Sequence, residues 1–495
     1  MSNNPLRKIH LSNGAATNSI ILMLVQIMTT AIGLVVTKLL SVEFSLTDYG
    51  TYSQALLVTS TATSISILGL TNATNYFYNK FEDKDKKHAY VSTIFTIQYI
   101  AGLLCALIII IFRNQIAGYF GNDRLNSILL FVAFTPLFQN LIAMFQVLFV
   151  SIGKAKILAV RNLIVAVIRL ITVIITCYVI KDIVTVLIVV LVLDILQCLY
   201  FYFVFDRFDQ RLKIKDSEFN IVSEIFKFSI PMSIFVMTNS LSRDIDKYVV
   251  SLFSNTESLA IYSNAAKILP FDMLTSSIIT VLIPIVTRFI NSNKHKEARE
   301  AFVVYLRLGF ILTCTFVGGA ISLARFLMLF LYDDKYLAGL SIFVIYLFID
   351  MIRFANVTTI LSGAGKTTIL MRISIATLIA NAIFNVIAYK FIGMIGPAIV
   401  TLVLTIIMTI MMLHYGSKEI HCRIIDLFEW KEILIVGLEI IGFGIAVHFL
   451  ASLLMNIIGI NSVVLIACYL LYLAVMFLIN YKRILSLLRN LNQYK

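Results

Sequence analysis

Charge is what this sequence has least of. Asp, Glu, Lys and Arg make up 14% of its 495 residues, while 60% are hydrophobic; a typical soluble domain carries about a quarter charged residues. So little charge excludes a surface built to face water on all sides. Proline is also scarce, with six in all, which leaves long stretches free of the residue that breaks helices. The six cysteines (Cys105, Cys177, Cys198, Cys314, Cys422 and Cys468) sit singly and mostly inside apolar runs. That placement excludes a disulfide framework and zinc-ligand spacing. His10, His88, His295, His414, His421 and His448 are scattered, with no HExxH or similar pattern. No catalytic metal centre follows, and the chain reads as a non-enzyme that needs no cofactor.

What the sequence has in abundance is apolar length. Ser19 to Leu40 is a long apolar run with one charge, Lys38, near its end; it spans about 33 Å as a helix, enough for a hydrocarbon core of about 30 Å. Fourteen such runs, the eighth near 260–288, predict an all-α integral membrane protein with about 14 transmembrane helices. Lipid excludes open sheets, and no alternating ten-residue strand pattern suggests a barrel. Because the first run is long and follows Arg7 and Lys8, it is expected to be retained rather than cleaved as a signal.

The net charge of +13 is a topology signal. Of the 40 Lys and Arg, 28 fall in the two tails and on every second connection with its flanking turns; only Arg113, Arg124, Lys181, Arg325, Lys335 and Lys390 fall on the opposite connections. The positive-inside rule then places both termini in the cytoplasm and leaves no case for a nucleic-acid partner.

The chain also repeats itself. Tyr52-Ser53-Gln54-Ala55 matches Tyr262-Ser263-Asn264-Ala265 at an offset of 210, and Gly153-Lys154-Ala155-Lys156-Ile157-Leu158 matches Gly365-Lys366-Thr367-Thr368-Ile369-Leu370 at an offset of 212. Two agreeing offsets at equivalent places predict a duplicated six-helix unit, in parallel orientation because six spans return the chain to its starting side. The expected layout is a tail over 1–18, an N-lobe over 19–205, a cytoplasmic linker over 206–225 and a C-lobe over 226–416. Two further helices and a cytoplasmic tail occupy 417–495.

Asp48-Tyr49-Gly50-Thr51-Tyr52, Leu329 to Tyr336, and Gly365-Lys366-Thr367 followed by Asn381, Asn385, Gly393, Gly396 and Pro397 resemble the polysaccharide flippases. These are Wzx-like transporters of the multidrug/oligosaccharidyl-lipid/polysaccharide exporter (MOP) superfamily. The likeness covers nearly the whole chain, although Pro397 stands where that family usually has alanine. The resemblance implies two six-helix lobes in a V, opening alternately to each face of a bacterial plasma (inner) membrane. The implied cargo is an undecaprenyl-diphosphate-linked oligosaccharide, an O-antigen or other surface-polysaccharide repeat unit, moved from the cytoplasmic to the outer leaflet. Implied partners are membrane lipids, a polysaccharide polymerase and a chain-length regulator. A multidrug or cation antiporter and a peptidoglycan lipid-precursor flippase of the same superfamily are the alternatives.

An ionisable side chain at mid-span costs about 2.5 to 3.5 kcal/mol on insertion scales and normally faces a cavity or a partner. Arg243, Lys247, Lys267, Lys38 and Arg353 are therefore the candidates for a cationic, substrate-binding cavity, since guanidinium and ammonium groups replace the hydration of phosphate or carboxylate oxygens. The competing account pairs Arg243 and Lys247 with Asp244 and Asp246, Arg353 with Asp350, and Arg169 with Asp194. Coupling to a proton or sodium gradient would need a buried carboxylate, and Asp246, Asp272 and Asp350 are the candidates. Ser362 to Thr368 looks like a nucleotide-binding loop, but Ile360 stands where its first glycine belongs and no strand precedes it. Asp333-Asp334 and the pair Met411-Met412 read as a solvated loop and as packing residues.

Overall fold

The computed structural model describes residues 13–493 apart from positions 210, 211, 268, 270, 272, 356 and 460. It describes the side chains of all of these but 13–24, 155, 273–281, 491 and 492. Every regular element among the described residues is helical, as lipid requires of a chain whose N–H and C=O groups must find partners within the segment. Among the described residues, thirteen helices are long and apolar enough to cross a membrane. The eighth expected span is not one helix: it breaks after Ala265 and resumes at Met273.

Contacts divide the chain into two compact units. The first is the chain up to Asp48 with Val58–Ala117 and Asp123–Ser233; the second is Tyr49–Leu57, Gly118–Asn122 and Ile234–Lys495. The first half of the chain supplies helices α1 (Asn13–Glu43), α2 (Leu46–Ser66), α3 (Leu70–Lys80), α4 (Lys84–Ile111) and α5 (Arg113–Phe120). It continues with α6 (Asp123–Val132), α7 (Thr135–Ser151), α8 (Ala155–Ile175) and α9 (Ile183–Phe205). Helix α10 (Val222–Phe253) crosses the unit boundary just after Pro231, whose ring removes an intrahelical hydrogen bond. Helices α11 (Thr256–Ala265), α12 (Met273–Asn291), α13 (His295–Ser322), α14 (Ala324–Leu331) and α15 (Leu340–Ile352) follow. The chain ends with α16 (Thr358–Gly363), α17 (Thr367–Ile392), α18 (Ile395–Glu419), α19 (Trp430–Ile458) and α20 (Ser462–Gln493).

The repeat is visible in the helix starts. Ala155 and Thr367 open α8 and α17, and Ile183 and Ile395 open α9 and α18; both pairs are 212 apart. Leu46 and Thr256 open α2 and α11 at an offset of 210.

The first unit packs around buried aromatics, with the Phe149 and Phe201 rings 5.1 Å apart and Phe77, Phe145 and Phe205 in the same core. Between lipid-embedded helices the gain is close contact rather than expelled water. The segment after α9 is tied back onto this unit. Tyr78 donates to Asp209 at 2.7 Å, Asp216 lies 3.1 Å from His88, the Glu218 N–H donates to Thr93 at 2.9 Å, and Lys80 pairs with Glu224 at 2.9 Å. Gly69, between α2 and α3, has φ +66, and a Cβ there would collide with the Ser229 carbonyl oxygen. Left-handed backbone alone costs an L-residue roughly 1 to 2 kcal/mol. Gly69→Ala is therefore expected to lower the unfolding midpoint of the purified protein by several degrees, and an unchanged midpoint would contradict this close approach.

In the second unit, α19 and α20 cover α13. Gly318 and Gly319 let Ile440 and Tyr472 sit against the α13 backbone, and Glu439 pairs with Arg483 at 3.1 Å. The resemblance motifs meet in this unit as well. Tyr49 donates to Asn264 Oδ1 at 2.7 Å and lies edge-on to Tyr336 with centroids 5.9 Å apart; Gln54 donates to Thr256 at 3.3 Å. Gly50 lies so close to the Thr256 carbonyl that a Cβ would overlap it, which explains a glycine at that position in the motif.

Candidate functional site

The second unit contains a cavity of 460 Å³ bordered by α10, α15, α16, α17 and α18. Three of these helices each turn one polar face to it. The faces are Asn239, Ser242 and Arg243 on α10; Ser374, Thr377 and Asn381 on α17; and Thr401, Thr405 and Thr409 on α18. Spacings of three, four, seven and eight residues put each set on one side of its helix. Arg353 enters from the turn after α15. No carboxylate lines the cavity among the described residues, so its formal charge comes from two guanidinium groups.

Part of the lining is already bonded. Asn381 Nδ2 donates to the Ser242 carbonyl at 3.3 Å and the Thr405 hydroxyl to the Thr401 carbonyl at 2.7 Å. Ser374 Oγ, Asn381 Oδ1 and Thr401 Oγ1 are buried and have no hydrogen-bond partner among the described residues. A buried polar group left this way costs about 1 to 3 kcal/mol, a debt that an entering hydroxylated ligand removes. Two guanidinium groups among hydroxyls and amides suit an anion with many oxygens, because Arg presents forked donors to phosphate or carboxylate.

Tyr346, on the cavity wall, donates its hydroxyl to Asp246 Oδ2. Tyr262 donates to the same oxygen at 2.8 Å, and the Lys247 backbone N–H donates to Oδ1 at 2.8 Å. Asp246 is fully buried, so one phenol separates a membrane-embedded carboxylate from the cavity.

The structure sorts the candidates read from the sequence. Arg243 and Arg353 line this cavity. Lys247 bonds Asp244 at 2.6 Å instead. Lys38, on α1 in the first unit, and Lys267, just past α11, are half-buried and are not part of the cavity wall. Asp350 accepts the Leu269 N–H at 3.0 Å, and no ion pair joins it to Arg353 among the described residues. Asp194 is held by Gln139 at 3.2 Å and Gln197 at 3.3 Å rather than by an ion pair to Arg169. Asp272 lies outside the described residues. The segment resembling a nucleotide loop is a short turn between α16 and α17, with Lys366 3.4 Å from Glu419. His295 and His421 come together edge-on at 4.3 Å, yet no group of three or more His, Cys, Asp or Glu among the described residues could hold a metal ion. The hydroxyl and amide stripes escaped a search for charges, although Thr401, Thr405 and Thr409 recur every fourth residue in an otherwise apolar run.

A family profile described as "Polysaccharide biosynthesis protein" matches residues 35–341. No curated protein sequence matches the chain. Among solved structures, the lipid II flippase MurJ in an inward closed conformation is similar with a TM-score of 0.69 and 16% identity, covering 92% of this chain and 99% of that one. An inward-facing multidrug resistance MATE transporter of the MOP superfamily gives 0.65 and 12% identity, covering 81% of this chain and 98% of its own. A MOP superfamily transporter from Pyrococcus furiosus, described as having a binding pocket of reverse polarity, gives 0.55 and 12%, with coverage of 82% and 95%. At these identities the likeness is one of fold.

Proposed function

The chain belongs to the polysaccharide biosynthesis protein family, and from that premise we propose that it carries a lipid-linked sugar across the membrane by alternating access. The observation that carries this reading is the cavity whose only charges among the described residues are Arg243 and Arg353, set among serine, threonine and asparagine. Such a lining complements a diphosphate joined to a sugar. It opposes a cationic drug, which would favour acidic or aromatic walls. The bacterial plasma membrane is the setting that fits such a cargo, with both termini cytoplasmic on the positive-inside reading.

For the sugar itself, the near-complete superposition on a lipid II flippase supports a peptidoglycan lipid precursor. A surface-polysaccharide repeat unit is the other reading, in keeping with a family described by polysaccharide biosynthesis. Depleting the protein decides between them: a lipid-linked oligosaccharide should accumulate on the cytoplasmic leaflet, and its sugars name the cargo. If no lipid-linked sugar accumulates there, and efflux of an organic cation is lost instead, the reading is overturned in favour of an antiporter.

A further inference from the structure

The first unit holds a second group of charges on apolar helices that the cavity above does not use. Asp194 on α9 is buried, with Oδ2 accepting from Gln139 on α7 at 3.2 Å and Oδ1 from Gln197 at 3.3 Å. Gln197 in turn accepts Arg161 Nη1 at 2.7 Å, and that guanidinium lies 4.3 Å over the Phe201 ring. Gln139 also accepts from Thr63 on α2 at 3.4 Å. Arg161 and Arg169 are both within electrostatic reach of Asp194, but the carboxylate accepts its hydrogen bonds from the Gln139 and Gln197 amides. Arg161 Nε and Nη2 and Arg169 Nε are buried with no hydrogen-bond partner among the described residues.

Two guanidinium groups against one carboxylate leave this group with a surplus positive charge and three buried donors without a partner among the described residues. Removing the partner of a buried charge costs about 3 to 5 kcal/mol, so such an arrangement calls for an anion. For Arg169 the repeat points the same way. At the offset of 212, Arg169 stands at the position of Asn381 and Gln197 at that of Thr409, and both counterparts line the cavity of the second unit. The corresponding face in the first unit thus carries a cation and an amide where the second carries an amide and a hydroxyl.

We propose that Arg161 and Arg169 form a phosphate-binding site in the first unit, with Asp194 as the built-in counter-ion that the bound anion displaces. A prenyl diphosphate and the headgroup of an anionic phospholipid share the chemistry this site takes. The inference rests on the geometry of the first unit and stands or falls apart from the transport reading.

The test uses the full chain in lipid nanodiscs, with Arg243→Gln and Arg353→Gln introduced so that the remaining binding reports the first unit. Geranylgeranyl diphosphate is the probe and geranylgeraniol the control without phosphate. Saturable binding of the diphosphate and not the alcohol is expected. Arg161→Gln with Arg169→Gln should weaken it at least about tenfold, the scale of one lost charge-assisted hydrogen bond. Asp194→Asn should tighten it severalfold, a gain that misfolding cannot produce, and Arg161→Lys should retain part of the affinity. Competition by phosphatidylglycerol as strong as by the diphosphate would identify a lipid headgroup as the occupant; competition only by the diphosphate would identify the prenyl-linked cargo. Absence of saturable binding, binding unchanged in the double arginine variant, or weaker binding in Asp194→Asn would each overturn the proposal. Loss of export in Arg243→Gln/Arg353→Gln would be unaffected by any of these results.

Discussion

Replacing Arg243 and Arg353 together by glutamine is expected to lower transport in proteoliposomes by at least about 100-fold, with the protein still inserted and abundant. A hydrogen bond to a charged group contributes about 1.5 to 3 kcal/mol, so two lost contacts amount to about 3 to 6, and 2.7 kcal/mol is already a factor of 100. Insertion should not suffer, because removing a mid-span charge relieves a cost of about 2.5 to 3.5 kcal/mol. Lys247→Gln is the instructive contrast. Its ammonium is 2.6 Å from Asp244, so its loss leaves a carboxylate without its partner and should reduce protein abundance more than turnover per molecule. Transport within threefold of wild type in the double arginine variant, measured alongside abundance by immunoblot, would show that this cavity does not hold the cargo.

The second large effect is expected at Asp246. In Asp246→Leu the hydroxyls of Tyr262 and Tyr346 lose their shared acceptor inside a fully buried site. At about 1 to 3 kcal/mol for each unsatisfied group, destabilisation of about 2 to 6 kcal/mol follows, a large fraction of a typical folding stability. Asp246→Asn keeps an oxygen acceptor in the same place and should fold. Because Tyr346 joins Asp246 to the cavity wall, we expect the asparagine variant to transport without responding to an imposed proton or sodium gradient. An asparagine variant that keeps the wild-type gradient dependence would remove Asp246 from the coupling path, while the leucine result would still test its structural part.

The two arginines were legible as candidates because a charge in a hydrocarbon span is conspicuous on any hydropathy reading. What spacing could not decide was the fate of each charge. Arg243 and Lys247 lie one helical turn apart with Asp244 and Asp246 beside them, and either cation could have taken either acid. The structure gives Lys247 to Asp244 and leaves Asp246 to two tyrosines, 16 and 100 residues away in the chain. The expected pairs Arg353 with Asp350 and Arg169 with Asp194 failed for the same reason. A backbone N–H at Leu269 reached Asp350, and amides on two helices reached Asp194.

The sequence by itself determined that this protein is helical and crosses the membrane many times, because lipid leaves a long apolar chain no other way to pair its backbone. It also carried the internal repeat, since helix starts are written locally: Ala155 and Thr367, like Ile183 and Ile395, stand at equal offsets in the sequence and open matching helices. The break after Ala265, where one span was expected, and the division of the chain inside α10 near Pro231 came from tertiary structure. So did the choice of which polar groups are satisfied and which remain open to a ligand. That choice depends on side chains meeting across helices that are distant in the chain, and each contact is worth only a kcal/mol or so, too little to leave a mark in the local pattern.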